Sequence, residues 1–182
     1  PAADFQGPLY VVSEFSATDG TGGTYRNRLQ YSGAQLHLQG RGFQGFAAQR
    51  IEDTRTGLVT IDSVSRVFPY TGMQVQRDVL QANGTTPVRQ WQAVLGQQAM
   101  GMAGREQRSF PFVASTSARQ FELGGVLDGT LVTDASTTFA YGDGYGNPTL
   151  VQTTTWDRDP YSPHLNSAWR STLSLDYTND TS

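Results

Sequence analysis

The chain has 182 residues and a net charge of −3; all 13 of its basic residues are arginines, and it has no cysteine. This composition excludes disulfides, cysteine-ligated zinc and lysine Schiff-base chemistry, and the lack of a basic stripe argues against nucleic acid as the main partner. The length fits one domain, or two small ones, and is sufficient for a sizeable hydrophobic core without disulfides or metal ions.

The N-terminal part of the chain predicts β-strands that turn at "TDGTGG" (18–23) and "DTRTG" (53–57), where Asp and Gly favour tight hairpins. Apolar side chains alternate with polar ones, but the alternation changes phase between Tyr31 and Leu36. A slip of one residue turns every following side chain to the other face of a sheet. We therefore expect a β-bulge or a very tight turn at Gly33, which lies between the two phases.

The stretch "HLQGRGFQGF" (37–46) places three glycines around a single arginine. Glycine permits a sharp bend in a sheet, and Phe43 and Phe46 are expected to pack across it. Arg41 is expected to bond backbone carbonyls or a carboxylate across the bend; the alternative interpretation is a ligand loop built on Arg41 and His37. The predicted bend lies in a glycine-rich region, 31–73, and consists of Gly33, Gly40, Arg41, Gly42, Phe43, Gly45 and Phe46.

The rest of the chain continues the strand pattern. Further turn signals occur at 69–72, 82–85, 127–130 and 143–148. One stretch, 89–107, contains good helix formers, but glycines interrupt it, so it predicts a strand that runs into an irregular loop. These patterns predict an all-β fold, an antiparallel meander of hairpins that forms a curved open sheet with little helix. The chain is expected to be a single β-rich segment over residues 1–182.

No set of residues has the sequence spacing of a catalytic or metal site. His37 and His164 lie far apart, and motifs for a serine nucleophile or a phosphate-binding loop are absent from the sequence. The carboxylates of "IED" (51–53) point to opposite faces of a predicted strand, and those of "DRD" (157–159) lead into a proline-rich loop. We therefore expect no catalytic residue, no bound metal and no cofactor.

Long stretches of the sequence resemble a known bacterial family. The block "YSGAQLHLQGRGFQGFAAQRIEDTRTGLVTI" (31–61), followed by "RVFPYTGM" (66–73), resembles a segment of bacterial Rhs/YD-repeat proteins. Within that family it resembles the B components of Tc insecticidal toxin complexes and SpvB-like virulence proteins. In those proteins the segment lies between a β-propeller and the YD repeats.

The C-terminal part resembles one YD repeat. The stretch "FAYGDGYGNPTLVQTTTW" (139–156) matches the repeat, and "SLDYTND" (174–180) resembles the ending of such strands. Gly142 stands where the repeat normally runs Tyr-Asp directly, so we expect a β-bulge there. The YD-like unit covers 139–180, and its motif residues are Tyr141, Asp143, Gly146 and Asn147.

The resemblance covers roughly residues 9–180 and implies a role in architecture. Proteins of this family form a long β-sheet that spirals into a hollow shell around a C-terminal toxic polypeptide. The chain is then expected to be a non-catalytic wall segment of a large secreted bacterial toxin, with an extracellular location. Its expected partners are the remaining strands of that protein and the enclosed toxin, and its open strand edges predict self-association of the isolated chain.

The start of the chain agrees with this expectation. It opens "PAADFQGPLY", with neither an initiator Met nor a signal peptide, so a segment from inside a longer protein is expected. No apolar run approaches the roughly 20 residues that span a bilayer, so we expect no membrane span.

A carbohydrate-binding β module is the alternative function, because exposed aromatic rings stack on sugar rings and YD repeats are associated with carbohydrate binding. Its candidate residues are Trp91, Trp156 and Trp169. The same tryptophans are also typical packing partners across neighbouring strands.

Overall fold

The computed structural model describes residues 2–100, 104, 108–142 and 146–178, which form strands and turns, with no helix among them. The strands are β1 (Ala2–Asp4), β2 (Glu14–Thr18), β3 (Thr24–Ser32), β4 (Gln35–His37), β5 (Gly42–Phe43), β6 (Ala48–Asp53), β7 (Val59–Val64), β8 (Gln74–Leu80), β9 (Pro87–Met100), β10 (Arg108–Phe121), β11 (Leu131–Ala140), β12 (Leu150–Asp157) and β13 (Ala168–Ser174). The predicted all-β fold of open antiparallel sheets is confirmed. Over the described residues there is no helix that could cross a membrane.

The chain divides into two compact units, Pro1–Gln90 and Trp91–Ser182. The first unit contains two antiparallel sheets. The larger sheet has the strand order β8-β7-β6-β3-β2, and the small sheet has the order β1-β4-β5. Strands β3 and β6 are neighbours although β4 and β5 lie between them in sequence. The chain therefore leaves the larger sheet, forms the small one and returns.

The second unit is a simple meander. Its strand order is β13-β12-β11-β10-β9, with sequential strands next to one another, and β9 begins at Pro87 in the first unit. The strands β10 to β13 are antiparallel. The ladder between β11 and β12 is continuous from Thr133 to Ala140, while the β10–β11 ladder shifts register between Gln120 and Phe121.

The predicted turns connect consecutive strands. This holds for 18–23, 53–57, 69–72, 82–85 and 127–130, whereas residues 143–145 of the last predicted turn lie outside the described residues. Short polar side chains fix the turns: Asp19 Oδ1 accepts hydrogen bonds from the backbone N–H groups of Thr21 and Gly23, both at 2.8 Å. These contacts to the ionised carboxylate lower the pKa of Asp19.

The hydrophobic core of the described residues is far smaller than the length of the chain would permit. Val59, 1% exposed, is the one fully buried hydrophobic side chain among the described residues. Along β3 the residues alternate between exposed and half-buried, as expected for a strand with one wet face and one partly covered face. Since a core needs two packed layers, chain length alone does not create one. The length of the chain is sufficient for a sizeable core, but the described residues do not form one.

Candidate functional site

The predicted bend is the place where the chain changes sheets. β3 ends at Ser32, the hairpin β4–β5 follows, and the chain re-enters the larger sheet at Ala48. The N–H of Ala47 donates to the carbonyl oxygen of Ser32 at 2.9 Å and closes the base of this excursion. Gly33 thus lies in a tight turn between two sheets, where the sequence predicts a bend within one sheet.

The glycines of this region have positive φ angles, which L side chains rarely adopt. The values are 67° at Gly33, 89° at Gly40, 71° at Gly42 and 83° at Gly45. Gly33 has a second constraint, because a Cβ there would lie 2.7 Å from the Cβ of Ala47 and 3.3 Å from a guanidinium nitrogen of Arg66. A Cβ at any of the other three would meet nothing within 4 Å. Gly33 is therefore required for space as well as for its dihedral angle.

A chain of four aromatic rings joins the small sheet to the larger one. The ring centroids are 5.4 Å apart for Phe5 and Phe43, 5.8 Å for Phe43 and Phe46, and 4.9 Å for Phe46 and Tyr31. Each such pair contributes about 0.5–1.5 kcal/mol beyond the area that it buries. The sequence places Phe43 and Phe46 across the bend. Their rings form a path of contacts from Phe5, which follows β1, to Tyr31 in β3.

The carbonyl contact predicted for Arg41 is made by another arginine. Arg66 donates a hydrogen bond from a guanidinium nitrogen to the carbonyl oxygen of Gly33. Arg41 instead lies with its guanidinium carbon 3.4 Å from the centroid of the Phe68 ring, a cation–π contact. The turn between β4 and β5 carries Arg41 onto residues 66–68, which are distant in sequence, and only the tertiary structure brings these groups together.

Arg41, Arg66 and His37 line one open cleft of about 380 Å³ in the first unit. The other lining residues are Ala2, Gln35, Gln44, Val67 and Phe68. Nδ1 of His37 accepts a hydrogen bond from the N–H of Gln39 at 3.3 Å. Two guanidinium groups, an imidazole and two amides thus face this cleft, and its lining contains no carboxylate. We call it the arginine cleft.

A second open cleft, of about 420 Å³, is apolar. It lies between the N-terminal segment and the half-buried face of β3, and its lining includes Phe5, Leu9, Val11, Leu29 and Tyr31. Several large apolar side chains near it remain exposed, Tyr10 completely and Leu9 and Val11 by almost half. This part of the first unit therefore exposes apolar surface that a neighbouring polypeptide could cover.

The YD-like motif packs its tyrosine inside the second unit. The hydroxyl of Tyr141 donates to the carbonyl oxygen of Val113 at 3.0 Å, and its ring centroid lies 4.5 Å from that of Phe112. Burial raises the pKa of Tyr141 because the charged phenolate loses solvation. Gly146 approaches Phe110 closely: a Cβ there would lie 2.6 Å from the ring. These contacts give the tyrosine and the glycine of the motif a packing role.

The residues around the predicted bulge are only partly described. Asp143 lies outside the described residues, while Asn147 lies just before β12. Gly142 follows the end of β11, and the β11–β12 ladder is continuous up to Ala140. The extra residue therefore belongs to the connection between the strands, and the expected bulge is not in the ladder.

Trp156 and Trp169 line one open cleft of about 380 Å³ together with Asp157 and Asp159, and Trp91 is not among its lining residues. Trp169 is the cross-strand partner of Thr155, so it points to the opposite face of the sheet from Trp156. Trp169 is 52% exposed and its ring contacts that of His164, whereas Trp91 and Trp156 are half-buried. Sugar binding by stacked rings needs exposed rings side by side. This geometry gives the carbohydrate alternative no support.

The carboxylates of 157–159 organise a loop. Asp157 accepts hydrogen bonds from the hydroxyl of Ser162 and from the N–H of Asp159, and His164 lies nearby. These contacts lower the pKa of Asp157, with the Ser162 hydroxyl as the largest cause. The Arg158 guanidinium donates to the side chain of Asn166 at 2.6 Å. The loop between β12 and β13 is therefore held by its own polar side chains.

No group of three or more metal-ligating side chains occurs within the residues that the structure describes. The carboxylates of 51–53 are divided between the two faces of β6, since Glu52 is opposite Arg28 and Asp53 is opposite Asn27. Glu52 forms an ion pair with Arg50 at 3.3 Å, and Asp53 accepts hydrogen bonds from the turn that follows. Glu52 and Asp53 thus contact an arginine and a turn of the first unit, respectively, and they lie on opposite faces of β6.

Neither a protein-family model nor a curated protein matches the chain. Solved structures do match it. The crystal structure of TcdB2-TccC3 without its hypervariable C-terminal region has a TM-score of 0.61 and 9% identity over 73% of this chain and 9% of that chain. The Photorhabdus luminescens Tc holotoxin pore has a TM-score of 0.62 and 10% identity over 79% of this chain and 9% of that chain.

A third structure, TcdB2-TccC3, gives a TM-score of 0.61 at 8% identity over 73% of this chain and 9% of that chain. At these identities the likeness concerns the fold alone. The open antiparallel sheets of this chain thus define a Tc-toxin-like fold. The chain spans about one tenth of the length of the toxin structures that it matches.

Proposed function

We propose that the chain is a non-catalytic wall segment of a bacterial Rhs/Tc-type toxin, whose shell encloses a C-terminal toxic polypeptide and is secreted. The observation that carries the proposal is the coincidence of a Tc-toxin-like fold with sheets that bury a single apolar side chain among the described residues. A sheet with so little core obtains its stability from the polypeptide next to it. A wall segment has such neighbours on its edges and on its faces.

The side chains of the first unit support a wall with one strongly polar face. Glu14, Arg28 and Glu52 are cross-strand partners on three adjacent strands, and Arg26 and Arg50 lie two residues from Arg28 and Glu52 on the same face. Glu14 lies 3.4 Å from Arg26 and 3.6 Å from Arg28, and all three are exposed. The opposite face contains the apolar cleft beside β3. The charged face is therefore suited to contact with water, and the face with the apolar cleft is suited to packing against polypeptide.

The test requires the whole protein to which this segment belongs. Electron microscopy of that protein should show a hollow particle, and limited proteolysis of the same sample should leave the C-terminal region intact. An open or solid particle with a digestible C-terminal region would contradict the proposal.

A pair of glycine variants connects that test to this chain. Gly33→Val in the whole protein should disturb the change of sheets and make the C-terminal region accessible to protease. Gly40→Val is the matched control, because Gly40 also has a positive φ but has open space around its Cβ position. Equal protease accessibility in both variants would mean that the turn at Gly33 has no part in the wall.

Strand edges give a second test with the isolated chain. Every residue of β13 is exposed, and β13 has a neighbouring strand on one side in the sheet order. An unpaired edge without Lys or Pro favours pairing with another chain. Light scattering should show a mass that rises with concentration, and Leu173→Lys should reduce that rise.

Leu123→Lys serves as the control for the edge variant, since Leu123 is 56% exposed against 53% for Leu173 and lies after β10, away from the edge. A strictly monomeric mass at high concentration would exclude edge pairing. The same decrease in both variants would indicate association through general apolar exposure.

A further inference from the structure

The arginine cleft has the chemistry of an anion-binding site. We propose that it binds a carboxylate carried by a polypeptide segment, an acidic side chain flanked by apolar residues. All residues that line the cleft belong to the first unit. The proposal concerns binding by these residues alone and does not depend on the shell function. The cleft offers N–H donors from Arg41, Arg66 and Gln44, and the imidazole of His37 lies beside them.

Both arginines are held in place and retain free donors. Arg66 uses one guanidinium N–H for the carbonyl of Gly33, and an arginine has five N–H donors. Arg41 is packed on the ring of Phe68 at 3.4 Å. Stacking of this kind holds the guanidinium group while its N–H groups point outward along its edge, which is the geometry that binds both oxygens of a carboxylate.

Gln44 adds a neutral hydrogen-bond donor to the two arginines of the cleft. It is 8% exposed, the one buried polar residue described, and its backbone N–H donates to Gln35 at 2.8 Å. Its side-chain amide lines the cleft and forms no hydrogen bond with any residue in the described part of the chain. An oxygen of a bound carboxylate would accept its N–H.

The balance of charge and apolar surface selects the class of ligand. The nearest acidic residue in the small sheet is Asp4, the cross-strand partner of Gln35, which is exposed and does not line the cleft. The two guanidinium charges therefore have no carboxylate within the lining. Val67 is 68% exposed and Phe68 57% exposed at its rim. Such a rim favours an acidic peptide with apolar neighbours over a bare inorganic anion.

The test titrates the full 182-residue chain with a fluorescently labelled, acetylated and amidated peptide that has the centre Leu-Glu-Leu. The matched peptide has Leu-Gln-Leu, and inorganic phosphate is the third probe. Fluorescence anisotropy should show binding of the acidic peptide and at least about 10-fold weaker binding of the glutamine peptide, as expected when charge-assisted hydrogen bonds are lost. Phosphate at equal concentration should leave the acidic peptide bound.

Protein variants assign the binding to the cleft. Arg41→Gln should weaken binding of the acidic peptide by about 10-fold or more, because it removes one of the two guanidinium groups of the cleft. Arg55→Gln is the control: Arg55 is also exposed and packs over a ring, that of Tyr25 at 4.5 Å, but it lies outside the cleft. The control variant should bind within about 2-fold of the unchanged chain. Gln44→Met keeps both charges and should also weaken binding.

Three results would overturn the proposal. Equal binding of the glutamate and glutamine peptides would mean that the cleft recognises apolar groups alone. An equal loss in Arg41→Gln and Arg55→Gln would mean general attraction to positive charge. Binding of phosphate without binding of the acidic peptide would identify a site for inorganic anions. Circular dichroism of each variant distinguishes lost binding from lost folding, and Gln44→Met still tests the site if Arg41→Gln unfolds.

Discussion

The two units of the chain hold open sheets together with different side chains. In the first unit, arginine–carboxylate pairs cross the strands, and the closest joins both oxygens of Asp62 to Arg77 at 2.6 and 3.0 Å. In the second unit, Ser and Thr occupy the middle of four adjacent strands; Thr137 and Thr153 are hydrogen-bonded at 3.0 Å. The first unit thus has several charged pairs, whereas the second has rows of hydroxyl groups and, in its described part, one arginine–carboxylate pair, Arg119–Asp134.

This difference matters for how each sheet selects its register. Charged partners are specific, since a slip of the strands would place unlike residues together. In the row Thr116, Thr137, Thr153 and Ser171 the register depends on the flanking positions, because a shift of two residues would place Ala118, Phe139 or Leu173 among the hydroxyl groups. At the strand ends of the second unit, the Tyr141–Phe112 ring contact and the Arg119–Asp134 pair add specific partners to this register.

The largest effect is expected at the change of sheets. Gly33→Ala should lower the free energy of unfolding by about 2–4 kcal/mol, because it combines the cost of a positive φ with overlap against Ala47. Gly40→Ala should cost only about 1 kcal/mol, since nothing lies near its Cβ position. Urea unfolding followed by circular dichroism measures both, and equal losses would refute the close-approach argument.

The ion pairs provide the next comparison. Arg77 and Arg119 are 53% and 54% exposed, but Arg77 contacts both oxygens of Asp62 while Arg119 approaches Asp134 at 3.5 Å. The hydrogen bonding that Arg77 donates to Asp62 raises the pKa of Arg77. Arg77→Ala should destabilise the chain by about 1–1.5 kcal/mol and Arg119→Ala by less than about 0.5 kcal/mol. A larger loss at Arg119 would show that geometry does not distinguish these pairs.

The hydroxyl pair should matter less. Thr137→Val leaves the hydroxyl of Thr153 without its partner and should cost about 0.5–1 kcal/mol. The double variant, with Thr153→Val added, should cost less than the sum of the two single changes, because no unpaired hydroxyl remains. A double-mutant cycle by urea unfolding measures the coupling. Strict additivity would mean that the two hydroxyl groups do not interact.

The smallest effect concerns pH and the loop after β12. The folded pKa of Asp157 is lowered, so its contribution to stability is present above its unfolded pKa of about 3.9 and is lost as the pH falls through the folded value. Ser162→Ala removes the main cause and should raise the Asp157 pKa towards its ordinary value. An NMR titration of the carboxyl group measures this change, and Ser171→Ala on β13 should leave the titration unchanged.

Local patterns predicted much of the fold because they depend on neighbouring residues. The period of two in Leu29 and Tyr31 gives the half-buried face of β3, and the change of phase at Gly33 gives the turn that ends it. No sequence pattern indicated that Arg41 packs on the ring of Phe68. Phe68 and Arg66 lie more than twenty residues further along the chain, and no spacing connects them to the β4–β5 turn.

The sequence by itself determined the strands, the turns and the exposed polar face, since these follow from alternation and from the backbone freedom of glycine. Only the tertiary structure decided that the glycine-rich stretch forms a second small sheet, that Gln44 is buried beside two arginines, and that Val59 is the buried apolar side chain. Burial depends on what packs against a face, and that depends on strand order and on long-range contacts, which no local pattern encodes.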